Sequence, residues 1–134
     1  MSIEWQEEYN LGFKEIDEQH KKLVKLIDRL NDAICQSKIK EEVGIILREL
    51  IEYNQHHFST EEKYFDKFEY ENSAEHKEEH RKFEKDILNF NDNFKNNESE
   101  VSFKLIDFLE DWLIGHLEGE DKKYVECFKE NGLS

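Results

Sequence analysis

The spacing of apolar residues constrains the fold of this chain more than any other feature. In four stretches, residues suited to a core recur at alternating steps of three and four, which is the spacing of one face of a bundled α-helix. The chain has no proline and only five glycines in 134 residues, and these residue types interrupt helices. The sequence therefore predicts one all-α domain over residues 1–134, an up-down-up-down four-helix bundle.

The predicted helices cover most of the chain. Residues 1–16 are expected to form an irregular N-terminal arm, and Asp17 to be the N-cap of the first helix. Ser73 is expected to cap the third helix. Four bundle helices and a short C-terminal helix are predicted at about 18–36, 40–68, 74–94, from 100 onward, and 120–130. The short connections favour antiparallel neighbours.

Charge and cysteine content narrow the range of partners. The formal net charge is −14, and so acidic a surface repels nucleic acids and anionic membranes. The chain contains no stretch of about 18 apolar residues, the length that a membrane-spanning helix needs. Residues 1–8 lack the basic and apolar regions of a signal peptide. Cys35 and Cys127 stand alone, so we expect reduced thiols in a cytoplasmic protein.

Ionisable residues occupy seam positions where apolar side chains are expected. They are His20, His57, Glu61, His76, His80 and His116. A single buried histidine is more often a hydrogen-bonded core residue than a metal ligand. Five histidines on four facing helices, all in the same half of the bundle, are harder to explain in that way. Burying them with a carboxylate and without partners would cost several kcal/mol, and a metal would supply the partner.

Two spacings along the chain determine which side chains can face the same metal centre. His57 and Glu61 are four residues apart, so their side chains lie about 40° apart on one helix face. Asp121 follows His116 by five residues, a turn of about 140° on a straight helix. Both can face one centre only if the backbone departs from a regular helix, and Gly119 is placed to allow this. We predict that the regular helix ends or kinks between residues 116 and 121.

The donor set indicates the kind of metal site. Five imidazoles and two carboxylates are too many for one zinc ion, which usually takes four ligands. They suit two metals bridged by carboxylates, and nitrogen-rich ligation without thiolate suits iron, although manganese or a mixed site stays open. The set differs from the ferritin-like di-iron pattern of four glutamates and two Glu-x-x-His pairs. Neutral imidazoles favour a lower oxidation state, which suits reversible dioxygen binding better than oxygen activation.

Four segments of the chain resemble the hemerythrin-like family, and they occur in the order found in that family. They span Trp5 to Leu23, His57 to Glu62, His76 to Phe83, and Trp112 to Tyr124. The resemblance implies a four-helix bundle with a non-haem di-iron centre. One iron would be bound by three histidines and the other by two, which leaves an open position on the second. By that pattern the two sets are His76, His80 and His116, and His20 and His57.

The resemblance also implies the bridges and the oxygen pocket. Glu61 and Asp121 would bridge both irons, together with an oxo or hydroxo group, and dioxygen would bind at the open position. Leu23, Trp112 and Leu113 match positions that line the oxygen pocket of the family. A dry pocket of this kind slows autoxidation.

Three other residues bear on this pattern. Phe65 stands where the family often has methionine, which affects the shape of the pocket rather than iron binding. His56 lies about 100° from His57 around the helix, so we place it at the surface or behind the ligands. Glu62 should point away from the centre and hold a ligand imidazole by its free N–H.

Several functions are compatible with such a site. The first is reversible dioxygen binding for carriage, storage or delivery, by a protein that is not an enzyme and that could pass oxygen to a separate protein acceptor. The alternatives are a di-iron redox enzyme, an oxygen or nitric-oxide sensor, an iron-handling module and a bundle without metal. The seams contain no charged proton donor beyond the expected ligands, which counts against an enzyme.

Overall fold

The structure is a computed structural model that describes residues 5–134, apart from the side chains of Leu117 and Glu118. Residues 1–4 of the predicted arm lie outside the described residues. The bundle helices are α1 Lys14–Cys35, α2 Ile39–Lys67, α3 Ser73–Phe94 and α4 Glu98–Gly115. A short 3₁₀ turn, Glu7–Tyr9, precedes them. They are followed by a π turn, His116–Glu120, a 3₁₀ turn, Asp121–Tyr124, and a last helix, α5 Val125–Glu130. The predicted all-α four-helix bundle is confirmed.

Side-chain pairs between consecutive helices show that the neighbours are antiparallel. On α1 and α2, Arg29 Nη1 lies 2.5 Å from Glu49 Oε2, while His20 and His57 meet further toward the start of α1 and the end of α2. Between α3 and α4, the rings of Phe83 and Trp112 lie 4.2 Å apart, while Phe90, later in α3, contacts Phe108, earlier in α4, at 5.4 Å. Helices α1 and α4 also contact each other, which closes the bundle.

Two apolar clusters form the core. The larger lies among the four helices and is built from residues such as Ile27, Leu50 and Leu105, each of which is fully buried. The smaller joins the N-terminal arm, the end of α2 and the C-terminal turn. Its buried members are Leu11, Phe13, Ile16, Phe65, Tyr70, Tyr124 and Phe128. The arm and α5 are thus packed parts of the fold. None of the described helices is long and apolar enough to cross a membrane.

Two predicted helix caps are wrong. Helix α1 begins at Lys14, because the N–H of Asp17 already donates to Phe13 O at 2.8 Å. The side chain of Asp17 instead reaches back to the arm, and its two oxygens accept the N–H groups of Leu11 at 2.8 Å and Gly12 at 3.1 Å. Ser73 is the first residue of α3 rather than its cap, and no side-chain cap forms there.

The clamp between Asp17 and the arm generates a stability prediction. Asp17→Ala removes a carboxylate that accepts two backbone N–H groups, so we expect a loss of about 1.5–3 kcal/mol in the free energy of unfolding. Glu18→Ala is the control, because Glu18 is exposed on the same turn, and it should change that free energy by less than about 0.5 kcal/mol. Urea unfolding of the purified proteins measures both. A similar loss in the two variants would contradict the clamp.

Candidate metal centre

Six of the seven predicted ligands form one buried layer of the bundle. None of their residues is more than 3% exposed: they are His20, His57, Glu61, His76, His80 and Asp121. Both apolar clusters contact this layer. Phe58 of the larger cluster stacks on His80 with ring centroids 3.8 Å apart, and Phe65 of the smaller cluster packs on His76 at 4.8 Å. The layer is therefore polar but surrounded by apolar side chains.

Asp121 connects the two sides of the layer. Its Oδ2 lies 3.2 Å from His20 Nε2 on α1, and its Oδ1 lies 3.1 Å from His76 Nε2 on α3. Each carboxylate oxygen therefore faces an imidazole from a different helix. This is the arrangement of donors that a bridging carboxylate needs.

Glu61 has a similar position on the opposite side. Its Oε1 lies 3.3 Å from His57 Nε2 and 3.1 Å from His80 Nε2. Its Oε2 accepts a hydrogen bond of 2.6 Å from the hydroxyl of the fully buried Tyr124. Among the described residues, two groups of donors are close enough to hold a metal ion, and Glu61 belongs to both. The groups are His20, His57 and Glu61, and Glu61, His76 and His80.

Unpartnered buried atoms show that this donor set fits a metal. Among the described residues, His76 Nε2 and Asp121 Oδ1 have no hydrogen-bond partner. These two atoms are 3.1 Å apart, but they are not aligned to bond to each other. His20 Nε2 and His57 Nε2 also face each other at 3.1 Å. Buried polar atoms without partners are rare in native proteins, and cations placed between these nitrogens and oxygens would satisfy them.

The two buried carboxylates remain ionised. Burial raises the pKa of Glu61, but the charges and hydrogen bonds of His57 and His80 outweigh it and hold that pKa well below its ordinary value. Burial and the charge of Glu61 raise the pKa of Asp121, but His20 and His76 lower it further. Two negative charges in an apolar surrounding favour a cation strongly.

The imidazoles differ in the direction in which their surroundings shift the pKa. Burial lowers the pKa of His57 more than nearby carboxylates raise it, so this imidazole is neutral, as a ligand must be. Burial also lowers the pKa of His80, but hydrogen bonds to Glu61 and Glu62 outweigh it and raise the pKa to about 9. In the protein without metal, His80 therefore carries a proton that offsets one of the buried negative charges.

His116 is the predicted ligand that does not join the layer. It lines the adjoining cavity, stacks on Trp112 with ring centroids 3.3 Å apart and lies with its Nε2 2.9 Å from Glu79 Oε2. Its side chain is 14% exposed. Burial lowers its pKa despite the carboxylates of Asp121 and Glu79.

The predicted break between residues 116 and 121 is confirmed. Helix α4 ends at Gly115, and the chain continues as a π turn over His116–Glu120. The N–H of Asp121 donates to His116 O, five residues earlier. This wider turn brings Asp121 back to the inner face, which a regular helix would not do, and π turns often occur at functional sites.

Outer side chains orient two of the imidazoles. Glu62 Oε2 lies 2.9 Å from His80 Nδ1, which confirms the prediction that Glu62 holds an imidazole. Gln19 Oε1 lies 2.6 Å from His57 Nδ1, a partner that the sequence reasoning missed. His56 is exposed, as predicted, and its Nε2 lies 3.3 Å from Gln19 Nε2. Such partners fix the tautomer and orientation of a ligand imidazole.

A small cavity of about 10 Å³ adjoins the layer. Leu23, Trp112 and Leu113, the residues predicted for the oxygen pocket, all line it, and Phe58 adds to the apolar wall. A volume of this size holds roughly one water molecule. The cavity therefore suits a ligand of very few atoms.

The fold and the site together define a four-helix-bundle protein with a buried histidine–carboxylate metal site. The family model of the hemerythrin HHE cation binding domain matches residues 11–128. The chain belongs to this hemerythrin family.

Individual relatives are similar over most of their lengths. A bacteriohemerythrin of Pseudomonas aeruginosa is 32% identical over 125 residues, which are 93% of this chain and 80% of that protein. A hemerythrin-like protein of Naegleria gruberi is 36% identical over 120 residues, 90% of this chain and 88% of that protein. A crystal structure of wild-type hemerythrin aligns with a TM-score of 0.80 and 28% identity, covering 93% of this chain and 96% of the other.

The hydrogen bond from Tyr124 to Glu61 generates the second prediction. Tyr124→Phe removes one hydroxyl and keeps the ring, so we expect a loss of about 1.5–3 kcal/mol in unfolding free energy, because a buried carboxylate loses its donor. Tyr64→Phe is the matched control. Its hydroxyl donates to the exposed Glu15 at 2.8 Å, and the loss should stay below about 1 kcal/mol.

Urea unfolding of the two tyrosine variants under one metal condition measures this difference. Equal losses would show that the Tyr124 hydroxyl is not what stabilises Glu61.

Proposed function

We propose that this chain holds two iron ions in the buried layer and binds dioxygen reversibly, in carriage, storage or delivery. The observation that carries the proposal is the sharing of carboxylates. Glu61 belongs to both groups of donors, and Asp121 directs one oxygen toward His20 and the other toward His76. Membership of the hemerythrin family supports iron as the metal.

The ligand assignment follows the family pattern. His76, His80 and His116 would hold one iron, and His20 and His57 the other. The bridges would be the carboxylates of Glu61 and Asp121. When bound, the iron pair supplies two electrons and an open position for dioxygen.

His116 keeps its place in this assignment although its Nε2 faces Glu79. It lines the same cavity as the layer and is the first residue of the π turn, which directly precedes Asp121. A carboxylate partner such as Glu79 is common behind a metal-bound imidazole, where it sets the ring orientation.

The size and lining of the cavity support binding rather than turnover of a substrate. A cavity of about 10 Å³ is far below the roughly 300–1,000 Å³ of pockets that enclose organic molecules. Leu23, Phe58 and Leu113 line the cavity and limit the access of bulk water to it. Among the described residues, the lining contains no charged side chain outside the predicted ligand set. The hydroxyl of Tyr53 also lines the cavity, but its proton is donated to Gln19 O, which counts against its use as a general acid.

Visible absorption of the reduced, iron-loaded protein tests the function directly. The sample is cycled between nitrogen and air. We expect a ligand-to-metal band that appears in air, disappears under nitrogen and returns over several cycles. A band that appears once and persists under nitrogen would mean irreversible oxidation. That result would overturn reversible oxygen binding in favour of a redox enzyme or sensor.

Adjacent histidines provide a matched test of the ligand assignment. His57→Ala should bind about one iron fewer per chain, because the group of His20, His57 and Glu61 loses a donor. His56→Ala should keep the full iron content, since the His56 side chain is exposed and, among the described hydrogen bonds, contacts only Gln19. Metal analysis after gel filtration measures both. Equal iron contents in the two variants would contradict the assignment.

A further inference from the structure

Asn54 is a buried polar residue that the proposed ligand set does not use. It lies on α2, three residues before His57, and is 2% exposed. Among the described residues, neither its Oδ1 nor its Nδ2 has a hydrogen-bond partner. The residue lines the small cavity beside the metal layer, as do the apolar side chains of Leu23, Phe58, Trp112 and Leu113. Its amide is therefore an unpartnered donor and acceptor in the lining of this cavity.

The free-energy cost of an unbonded buried amide indicates that Asn54 has a hydrogen-bond partner that is not part of the protein. A buried amide without a hydrogen bond destabilises a protein by about 1–3 kcal/mol for each unsatisfied group, whereas a leucine of similar shape would have no such cost. The neighbouring Tyr53 does not help, because its hydroxyl donates to Gln19 O at 2.8 Å. We therefore look for the partner among small molecules in the cavities that Asn54 lines.

A second cavity adjoins Asn54 on the outer side. It has a volume of about 60 Å³ and lies between α2 and α3, lined by Ile51, Asn54, Gln55, Glu84 and Leu88. Asn54 is the residue that lines both cavities.

We propose that Asn54 determines ligand specificity in the inner cavity by donating a hydrogen bond from Nδ2 to the bound small molecule. The inference rests on the proposed function, since the ligand is held at the metal layer. It favours two- or three-atom ligands whose outer atom carries a lone pair, such as dioxygen or azide. The apolar residues Leu23, Trp112 and Leu113 set the size limit, and Asn54 adds the polar contact.

The dissociation rate of dioxygen tests this contact. Asn54→Leu keeps the approximate shape and removes both polar groups, so dioxygen should leave the iron-loaded protein about two- to tenfold faster, the effect of one hydrogen bond. Gln55→Leu is the matched control. It makes the same chemical change on the next residue, which is exposed and lines only the outer cavity, and the rate should not change. Equal rates in Asn54→Leu and the unaltered protein would overturn the proposal.

A crystal structure provides a readout that does not depend on reversible oxygen binding. In the purified protein, we expect an ordered water within hydrogen-bond distance of Asn54 in the inner cavity. In oxidised, iron-loaded protein with azide, we expect azide to take that place. Azide should bind two- to tenfold more weakly to Asn54→Leu. An Asn54 amide bonded to another protein group, or to a water that azide leaves in place, would overturn the proposal.

The two readouts separate the two hypotheses. If the unaltered protein fails to release oxygen under nitrogen but azide contacts Asn54, the proposed function fails and the role of Asn54 stands. If oxygen cycles reversibly while neither the dissociation rate nor azide affinity responds to Asn54→Leu, the function stands and the role of Asn54 fails. Unfolding of Asn54→Leu should require at least as much urea as the unaltered protein, which excludes a folding defect as the cause of faster release.

Discussion

The structure depends on keeping two carboxylates ionised inside an apolar bundle. Glu61 and Asp121 are nearly inaccessible, and each raises the cost of burying the other. The imidazoles around them, and the hydroxyl of Tyr124, offset that cost. A pair of cations would offset it far more completely, because charge compensation is strongest where water is excluded. The metal site is in this sense part of the hydrophobic core rather than an addition to its surface.

The remaining helices and turns of the fold place the metal-binding side chains in one layer of the bundle. Antiparallel helices bring the start of α1 and α3 beside the end of α2, so that His20, His76 and Glu61 meet. The fourth helix cannot contribute Asp121 while it remains regular, and the π turn at His116–Glu120 solves this by changing the face that the chain presents. The arm and α5 then close the smaller apolar cluster beneath the layer.

The cavity next to the layer combines two requirements that oppose each other. Apolar side chains in the lining would limit the access of bulk water to a reduced metal site and slow its oxidation, but they offer no hydrogen bond to a polar ligand. Asn54 adds one unpartnered amide to that lining. The unpartnered amide destabilises the protein without ligand, and a small guest that accepts its hydrogen bond recovers this loss. The same residue therefore connects the stability of the core to the choice of ligand.

The sequence by itself determined the helices and the seam positions of the ionisable residues, because helical periodicity is local. It also predicted the break after His116, since five residues do not return to one face of a regular helix. It did not reveal that Gln19 and Tyr124 contact His57 and Glu61. Those contacts join residues 38 and 63 positions apart, so only the packing of whole helices decides them. The caps at Asp17 and Ser73 failed for a local reason: the N–H groups of these residues already donate to the backbone carbonyls of Phe13 and Tyr70.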